Sequence, residues 1–409
     1  MKRVLAILLI GNLLFAPATG YANTVAVSNE ASDVVLLQEC VEQFFYSFEN
    51  MNETADVSGR MEQITNLSGT DAVSIYHMED MAVSAQAESE LSSEPTYLEM
   101  VELLLQRRAM IESASEVDLT EYQKVLDISV EDISINGTSA SVDVSVLKRW
   151  YYSFSPNMES AAQDFYTVNL EKENGTWKIS NVSGLAESIM DPSLAEMGDE
   201  ITCLEKETYL SSVQEEIAQS TAVLENDVQV MADTSYGTSA AVTASSTYNA
   251  SAAVAYAVQY AIIPNSAYAD FTNSGGDCTN FISQCLYAGG IVQHVGTAYT
   301  ESCWFYQSST NRSYSWTGAN SFRNYITSSV SKINMTSSSW SSVVPGDIIQ
   351  LMNSGSATHS MIVSNLVYGS SGRSDLLVCA HTTNRQNVSL AQYYSTFPTK
   401  VYYHINGSK

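Results

Sequence analysis

Positive charge is scarce in this chain. Its 409 residues carry 18 Lys+Arg against 45 Asp+Glu, a net charge of −27, and the imbalance is uneven. Residues 1–231 hold 11 basic and 39 acidic side chains, whereas residues 232–409 hold 7 and 6. Nucleic acid and anionic bilayers are bound through clustered Lys and Arg, so this balance argues against either as a partner. The acidic half reads as a solvated surface that favours solubility. Metal motifs are missing too: none of the six cysteines falls in a C-x-x-C pattern and there is no H-E-x-x-H, so neither metal nor cofactor is expected. Six thiols do not make a disulfide scaffold in a chain this long. Cys40 and Cys203, the one pair in the acidic half, are a candidate bridge. After the first 22 residues no stretch approaches the roughly 18 uncharged apolar residues of a spanning helix, and no wall-binding repeat or sorting motif is present.

What is there begins with Lys2-Arg3, the apolar run Val4 to Phe15 and the small-residue site Gly20-Tyr21-Ala22. This is the pattern of a secretory signal, which makes the expected mature protein exported and free of the membrane once the signal, residues 1–22, is removed. The remaining length suits two domains. Apolar residues recur at helical spacing from Asp33 to about Asn50, and a second helix is expected over Tyr97 to Ile111. From Tyr122 to Ser183 the period changes to two, with Asn136-Gly137 and Asn174-Gly175 as hairpin turns. Residues 23–200 therefore read as an acidic α+β domain of helices and an antiparallel meander, similar to the nuclear-transport-factor-like fold. Residues 201–247 read as a helix, Leu210 to Val230, and a small-residue linker, Ala232 to Tyr248. Residues 248–409 form the second, also α+β, domain. It opens with an Ala-rich helix ended by Pro264, and its strands are expected at Ile348 to Met352, Met361 to Tyr368, Leu376 to Thr382 and Val401 to Ile405.

The informative stretch is GGDCTNFISQCLYAGG, Gly275 to Gly290. Two glycines lead into Asp277 as N-cap, an apolar run makes about three helical turns, and Gly289-Gly290 closes it. Cys278 then occupies the first helical position, where unpaired amides and the helix dipole favour a thiolate. Cys285, two turns deeper, suits core packing. A nucleophilic cysteine needs an imidazole to move the proton and a polar group to fix that imidazole. His359 follows the small-residue loop Gly355-Ser356-Ala357-Thr358, His381 lies in an apolar strand, and Asn384 is the fallback orienting group. Surface or packing roles suit His77, His294 and His404.

Taken in order, Gly276-Asp277-Cys278-Thr279-Asn280-Phe281, Pro345-Gly346-Asp347-Ile348, His359-Ser360-Met361-Ile362-Val363 and Ala380-His381-Thr382 resemble the bacterial amidase domain of the papain-like superfamily, related to the NlpC-like and CHAP-like cell-wall hydrolases. The resemblance covers residues 247–409. It implies a nucleophile-bearing helix packed on an antiparallel sheet, Cys278 as nucleophile, His359 as general base and acid, and His381 as orienting group. Thr279-Asn280 stands where the cell-wall peptidases have Ser-Gly. The expected activity is that of a secreted, cell-wall-associated cysteine amidase or peptidase acting on peptidoglycan peptides or a related extracellular peptide. A binding protein with a degenerate papain-like domain and an acyltransferase using the same cysteine are the alternatives. Oligomeric state is not legible.

Overall fold

The computed structural model describes residues 24–51, 56–82, 94–189, 194, 197–233, 248–370, 372–393 and 400–409. The signal segment and nearly all of the expected linker lie outside them. Helices α1 (Thr24–Phe48), α2 (Val57–Leu67), α3 (Thr70–Ala82) and α4 (Tyr97–Ala114) precede four strands, β1 (Glu121–Asn136), β2 (Ser139–Tyr152), β3 (Ser155–Glu173) and β4 (Thr176–Ser183). The polar stretch after Asn52, in which no element is clear from pattern, thus contributes α2 and α3. Both hairpin turns fall where Asn-Gly placed them, with Gly137 at φ 66° and Asn174 and Gly175 at 50° and 84°, the left-handed pair that a two-residue hairpin of matching twist requires. Helix α5 (Cys203–Asp233) ends this half.

The second half runs α6 (Ala250–Tyr260), α7 (Cys278–Ala288), the small ladder β5 (Tyr306–Ser308) and β6 (Asn311–Arg312), α8 (Tyr314–Thr317) and α9 (Ala319–Thr327). Then come β7 (Ile333–Ser338), β8 (Ile348–Asn353), β9 (Ser356–Gly369), β10 (Gly372–Ala380), β11 (Asn384–Ser389), a single 3-10 turn Leu390–Tyr393, and β12 (Lys400–Ser408). The fold is mixed α+β around a large antiparallel sheet.

That sheet corrects one expectation. The acidic unit was expected to stand as a separate domain, yet the strand order is β1-β2-β3-β11-β10-β9-β8-β12-β7, with β4 also on β3, so one sheet crosses both halves. The joint is β11 on β3, Asn384 opposite Gln163, Arg385 opposite Ala162 and Gln386 opposite Ala161. Side chains rivet it. Arg385 donates to Asp164 at 2.8 Å, and Ser160 Oγ to the Asn387 carbonyl at 2.7 Å. Beneath the joint, Trp150, Tyr152 and Ile111 of the first half share a core with Leu351, Met361, Val378 and Tyr393 of the second. Two further cores lie apart from the seam: α1, α2 and α4 pack on the first meander, and α6, α7 and the aromatics Trp304, Trp316 and Phe322 cover the opposite face of the second-half strands. The expected Cys40–Cys203 bridge is not formed. Neither is in a disulfide: Cys40 is buried against the Trp177 carbonyl, and Cys203, at the start of α5, meets Glu207. No helix among the described residues is long and apolar enough to cross a membrane.

Candidate active site

Gly275 and Gly276, at φ 99° and 98°, let the chain turn sharply into α7, a backbone shape side-chain-bearing residues rarely adopt. Cys278 is the first helical residue, 6% exposed. Asp277 caps the helix by position only, because no first-turn amide reaches its carboxylate. One oxygen accepts from the Phe271 amide at 2.9 Å and the Asn280 side chain at 2.8 Å, and the other meets His381 Nδ1 at 2.7 Å. His381 lies one residue beyond β10, its Nε2 2.8 Å from the Tyr260 carbonyl and its ring stacked on Phe281 at 4.0 Å. Both its nitrogens are thus engaged by acceptors.

The expected role of His381 as the group orienting His359 is therefore corrected. Its ring is committed to Asp277 and Tyr260, and no hydrogen bond joins the two histidines. The fallback fails likewise, since the Asn384 amide donates to Gln163 and to the Ile262 carbonyl. A buried Asp and a buried His each lose solvation, and pairing them satisfies both.

The remaining polar residues of α7 are equally occupied. Thr279 Oγ1 meets Ser360 Oγ at 3.0 Å, which also takes a bond from Gln350. Asn280 donates to the Ala269 carbonyl and accepts from Trp316 Nε1, while Ser283 accepts from Trp304 Nε1. Thr279-Asn280 is accordingly framework, and the two tryptophans, both buried, pack against and brace the helix. Asp347 of the Pro-Gly-Asp turn accepts from the Val344 and Ile405 amides and pairs with His404. His294 meets the Tyr325 hydroxyl at 3.1 Å. Cys285 is wholly buried, a packing residue. The side chain of His77 lies outside the described residues.

His359 behaves differently. It sits inside β9 opposite Leu351, 2% exposed, and neither ring nitrogen has a hydrogen-bond partner among the described residues. Its ring stacks on Tyr393 with centroids 6.0 Å apart. The Cys278 thiol lies against the backbone amide of Ser360, the residue after His359, and near Thr279 Oγ1 at 3.7 Å. Helix and strand thus bring Cys278 and His359 to adjoining positions without a hydrogen bond between them. Burial pushes the thiol up, opposed by the Thr279 and Ser360 bonds and reinforced by the Asp277 charge. Burial, aided by the Arg385 charge, pulls His359 down to about 3. Both shifts favour the uncharged forms, the opposite of what a thiolate–imidazolium pair would produce.

Sequence reasoning missed three members of this neighbourhood. Asp277 was legible as a cap but not as the His381 partner, and Arg385 and Tyr393 carry no local signal. Among the described residues no group of three His, Cys, Asp or Glu is arranged to hold a metal ion.

Residues 247–405 match the family described as "Putative amidase domain", so this part of the chain carries an amidase-like domain. A relative from Bacillus subtilis (strain 168), the uncharacterized protein YhbB, is 36% identical over 111 residues, which is 26% of this chain and 34% of that protein. The aligned part thus spans about a third of the relative's length. No solved structure matches the chain.

Proposed function

We propose that the protein is an exported cysteine amidase that cleaves peptide amides, with Cys278 as nucleophile and His359 as its base. The observation that carries this is His359: a buried imidazole with neither nitrogen bonded among the described residues, in the strand position next to Ser360, whose backbone meets the thiol at the helix N-terminus, while the other buried polar side chains of the nucleophile helix are bonded. An unsatisfied buried polar group costs about 1–3 kcal/mol, and functional sites are where such a cost persists.

In the first step the Cys278 S–H proton passes to the free imidazole nitrogen of His359 as sulfur attacks the carbonyl carbon. The tetrahedral oxyanion lies within reach of the Cys278 amide at the helix start. His359 then returns its proton to the departing nitrogen as the C–N bond breaks, leaving a thioester. Water, deprotonated by His359, adds to that thioester, and collapse releases the carboxylic acid and restores the thiol. Burial, which disfavours the charged imidazole of His359, suits a general base, which must begin unprotonated. His381 acts through Asp277: the pair holds the loop 271–277 against α7 and so fixes where Cys278 points.

A papain-like arrangement of the second half, a nuclear-transport-factor-like first half, secretion, and peptidoglycan or a related extracellular peptide as substrate belong to the same reading. Their support is the motif order, the apolar N-terminal segment and the amidase family match. Mass spectrometry of muropeptides incubated with the purified protein tests it: new amide-cleavage products lost in Cys278→Ala support it, and their absence across a peptide panel sinks it. One observation favours a non-catalytic reading, the burial of both Cys278 and His359. Labelling of Cys278 by a thiol-reactive substrate mimic separates the two, since a merely structural cysteine stays unlabelled.

A further inference from the structure

The proposed base has no hydrogen bond to fix it. The backbone of β9 holds the Cα of His359, but an imidazole with neither nitrogen bonded among the described residues can turn about its ring bond, where the torsional preference is broad. His381 and Asn384, the two groups expected to orient it, are committed elsewhere. What meets the ring is the flat face of Tyr393, with centroids 6.0 Å apart and the planes 22° from parallel. Tyr393 is buried and its hydroxyl has no hydrogen-bond partner among the described residues, so the contact is made by the ring alone.

Tyr393 ends the 3-10 turn Leu390–Tyr393, and both halves of the chain hold that turn. From the second half, Ser389 Oγ accepts from the Ala391 amide at 3.1 Å and donates to the Asp375 carboxylate. From the first half, Arg107 of α4 donates from Nη2 to the Gln392 carbonyl at 2.9 Å, and the Tyr152 hydroxyl at the end of β2 accepts from the Gln392 side chain at 3.2 Å. Gln392 directly precedes Tyr393. Arg107 is itself buried, and its Nε donates to the Tyr209 hydroxyl of α5 at 3.2 Å. A planar guanidinium fork engaged at two nitrogens has a defined direction.

Resting on the amidase reading above, we infer that Tyr393 is the positioning residue for His359 and that the acidic half is part of the catalytic unit, because its Arg107 and Tyr152 hold the turn that carries the Tyr393 ring. The route runs from Arg107 and Tyr152 to Gln392, from Gln392 to Tyr393, and from the Tyr393 ring to His359. It gives the first half a role in turnover without any contact with substrate. Burial raises the pKa of the Tyr393 hydroxyl, Arg385 opposing this and Asp164, Cys379 and Cys278 adding to it, so the thiol and the seam both act on this one side chain. A base that is misaligned loses rate rather than affinity, and a displacement of about 1 Å can cost about a hundredfold.

The test uses the full chain. Tyr393→Leu removes the flat face, and kcat should fall by about ten- to a hundredfold while KM stays within about twofold. Tyr393→Phe restores the face without the hydroxyl and should recover most of that loss. In parallel, the ring-proton NMR signals of His359, assigned by their disappearance in His359→Leu, are followed in Cys278→Ala chains. They should move strongly with Tyr393→Leu and slightly with Tyr393→Phe, and they should move as well with Arg107→Met and Tyr152→Phe, which loosen the turn. Tyr152→Phe keeps its ring in the core and carries the seam test if Arg107→Met does not fold. A Tyr393→Leu variant with the wild-type kcat, a Tyr393→Phe variant as slow as Tyr393→Leu, or His359 signals indifferent to the seam variants overturns the inference. Because the signals need no turnover, an inactive wild type whose His359 signals still answer to Tyr393 and to the seam would remove the amidase reading alone.

Discussion

The two sides of the α7 N-terminus are built on opposite rules. On one side Asp277, Asn280 and His381 satisfy one another and the surrounding backbone at 2.7–3.0 Å. On the other, Cys278, His359 and Tyr393 are also buried, yet the His359 ring nitrogens and the Tyr393 hydroxyl have no hydrogen-bond partner among the described residues. Burial with unequal satisfaction separates the part that holds the helix in place from the part left open to chemistry. A fully bonded framework resists movement, and an unbonded imidazole keeps its lone pair available.

The sharpest way to break this contrast is to remove the nucleophile. Cys278→Ala should lower turnover by at least about a thousandfold, the scale at which nucleophiles act, while leaving the urea midpoint nearly unchanged; appreciable remaining hydrolysis would move the chemistry elsewhere. His359→Leu should be almost as damaging to kcat and mild for stability, since no hydrogen bond is lost with the ring.

His381→Ala is expected to show the reverse. Removing it leaves Asp277 buried without its partner, a change that costs about 3–5 kcal/mol in comparable pairs, so the urea midpoint should drop markedly and activity should fall with the folded fraction. Equal midpoints for the His359→Leu and His381→Ala variants would erase the distinction between the two sides.

A smaller effect concerns acid. His359 sits at about 3 in the folded chain against an ordinary 6.5, so between these values the unfolded chain binds a proton that the folded one does not. Stability is then complete above pH 6.5 and declines as pH falls towards 3. Asp375, buried beside Ser389 and raised to about 6 from 3.8, works oppositely: it keeps its proton in the fold, so between those values its contribution declines as pH rises. Urea titrations from pH 3 to 7 should show a shallower acid limb in His359→Leu than in wild type, and coincident limbs would mean that His359 is solvated. Alkylation of Cys278 by iodoacetamide should likewise rise only near or above the free-thiol range of about 8.5, without an acid shoulder; a shoulder near neutrality would reveal an ion pair. The least disruptive expectation is that proteolysis within residues 234–247 nicks the chain without parting it, because β3–β11 pairing and the shared core persist. Separation of the fragments on gel filtration would break the continuity of the sheet.

Much of this was legible from local pattern. The β1–β4 meander follows from alternation and two Asn-Gly turns, and the Cys278 helix from its glycine brackets. What escaped is non-local. Strand β11 was not among the expected strands: Asn384 to Ser389 is largely polar, and its buried Arg385 and Asn387 are compensated by partners such as Asp164 and Glu159 more than 200 residues away. The same holds for His381: its strand was foreseeable, but its choice of Asp277 over His359 depends on how a loop and a strand end meet in space, which spacing along the chain does not encode.

The joint between β3 and β11 also sets a clock. Gln163 and Asn384 are 221 residues apart, and a ribosome adding about 5–20 residues per second needs roughly ten seconds or more to cross that interval. Through that time the first half carries an unclosed strand edge, the kind of surface that invites pairing with another chain. The exposed segment is short and reads Ala161-Ala162-Gln163, with little apolar bulk to reward a wrong partner. Slow closure is therefore tolerable here, and lengthening the apolar character of those three positions should show up first as aggregation during synthesis.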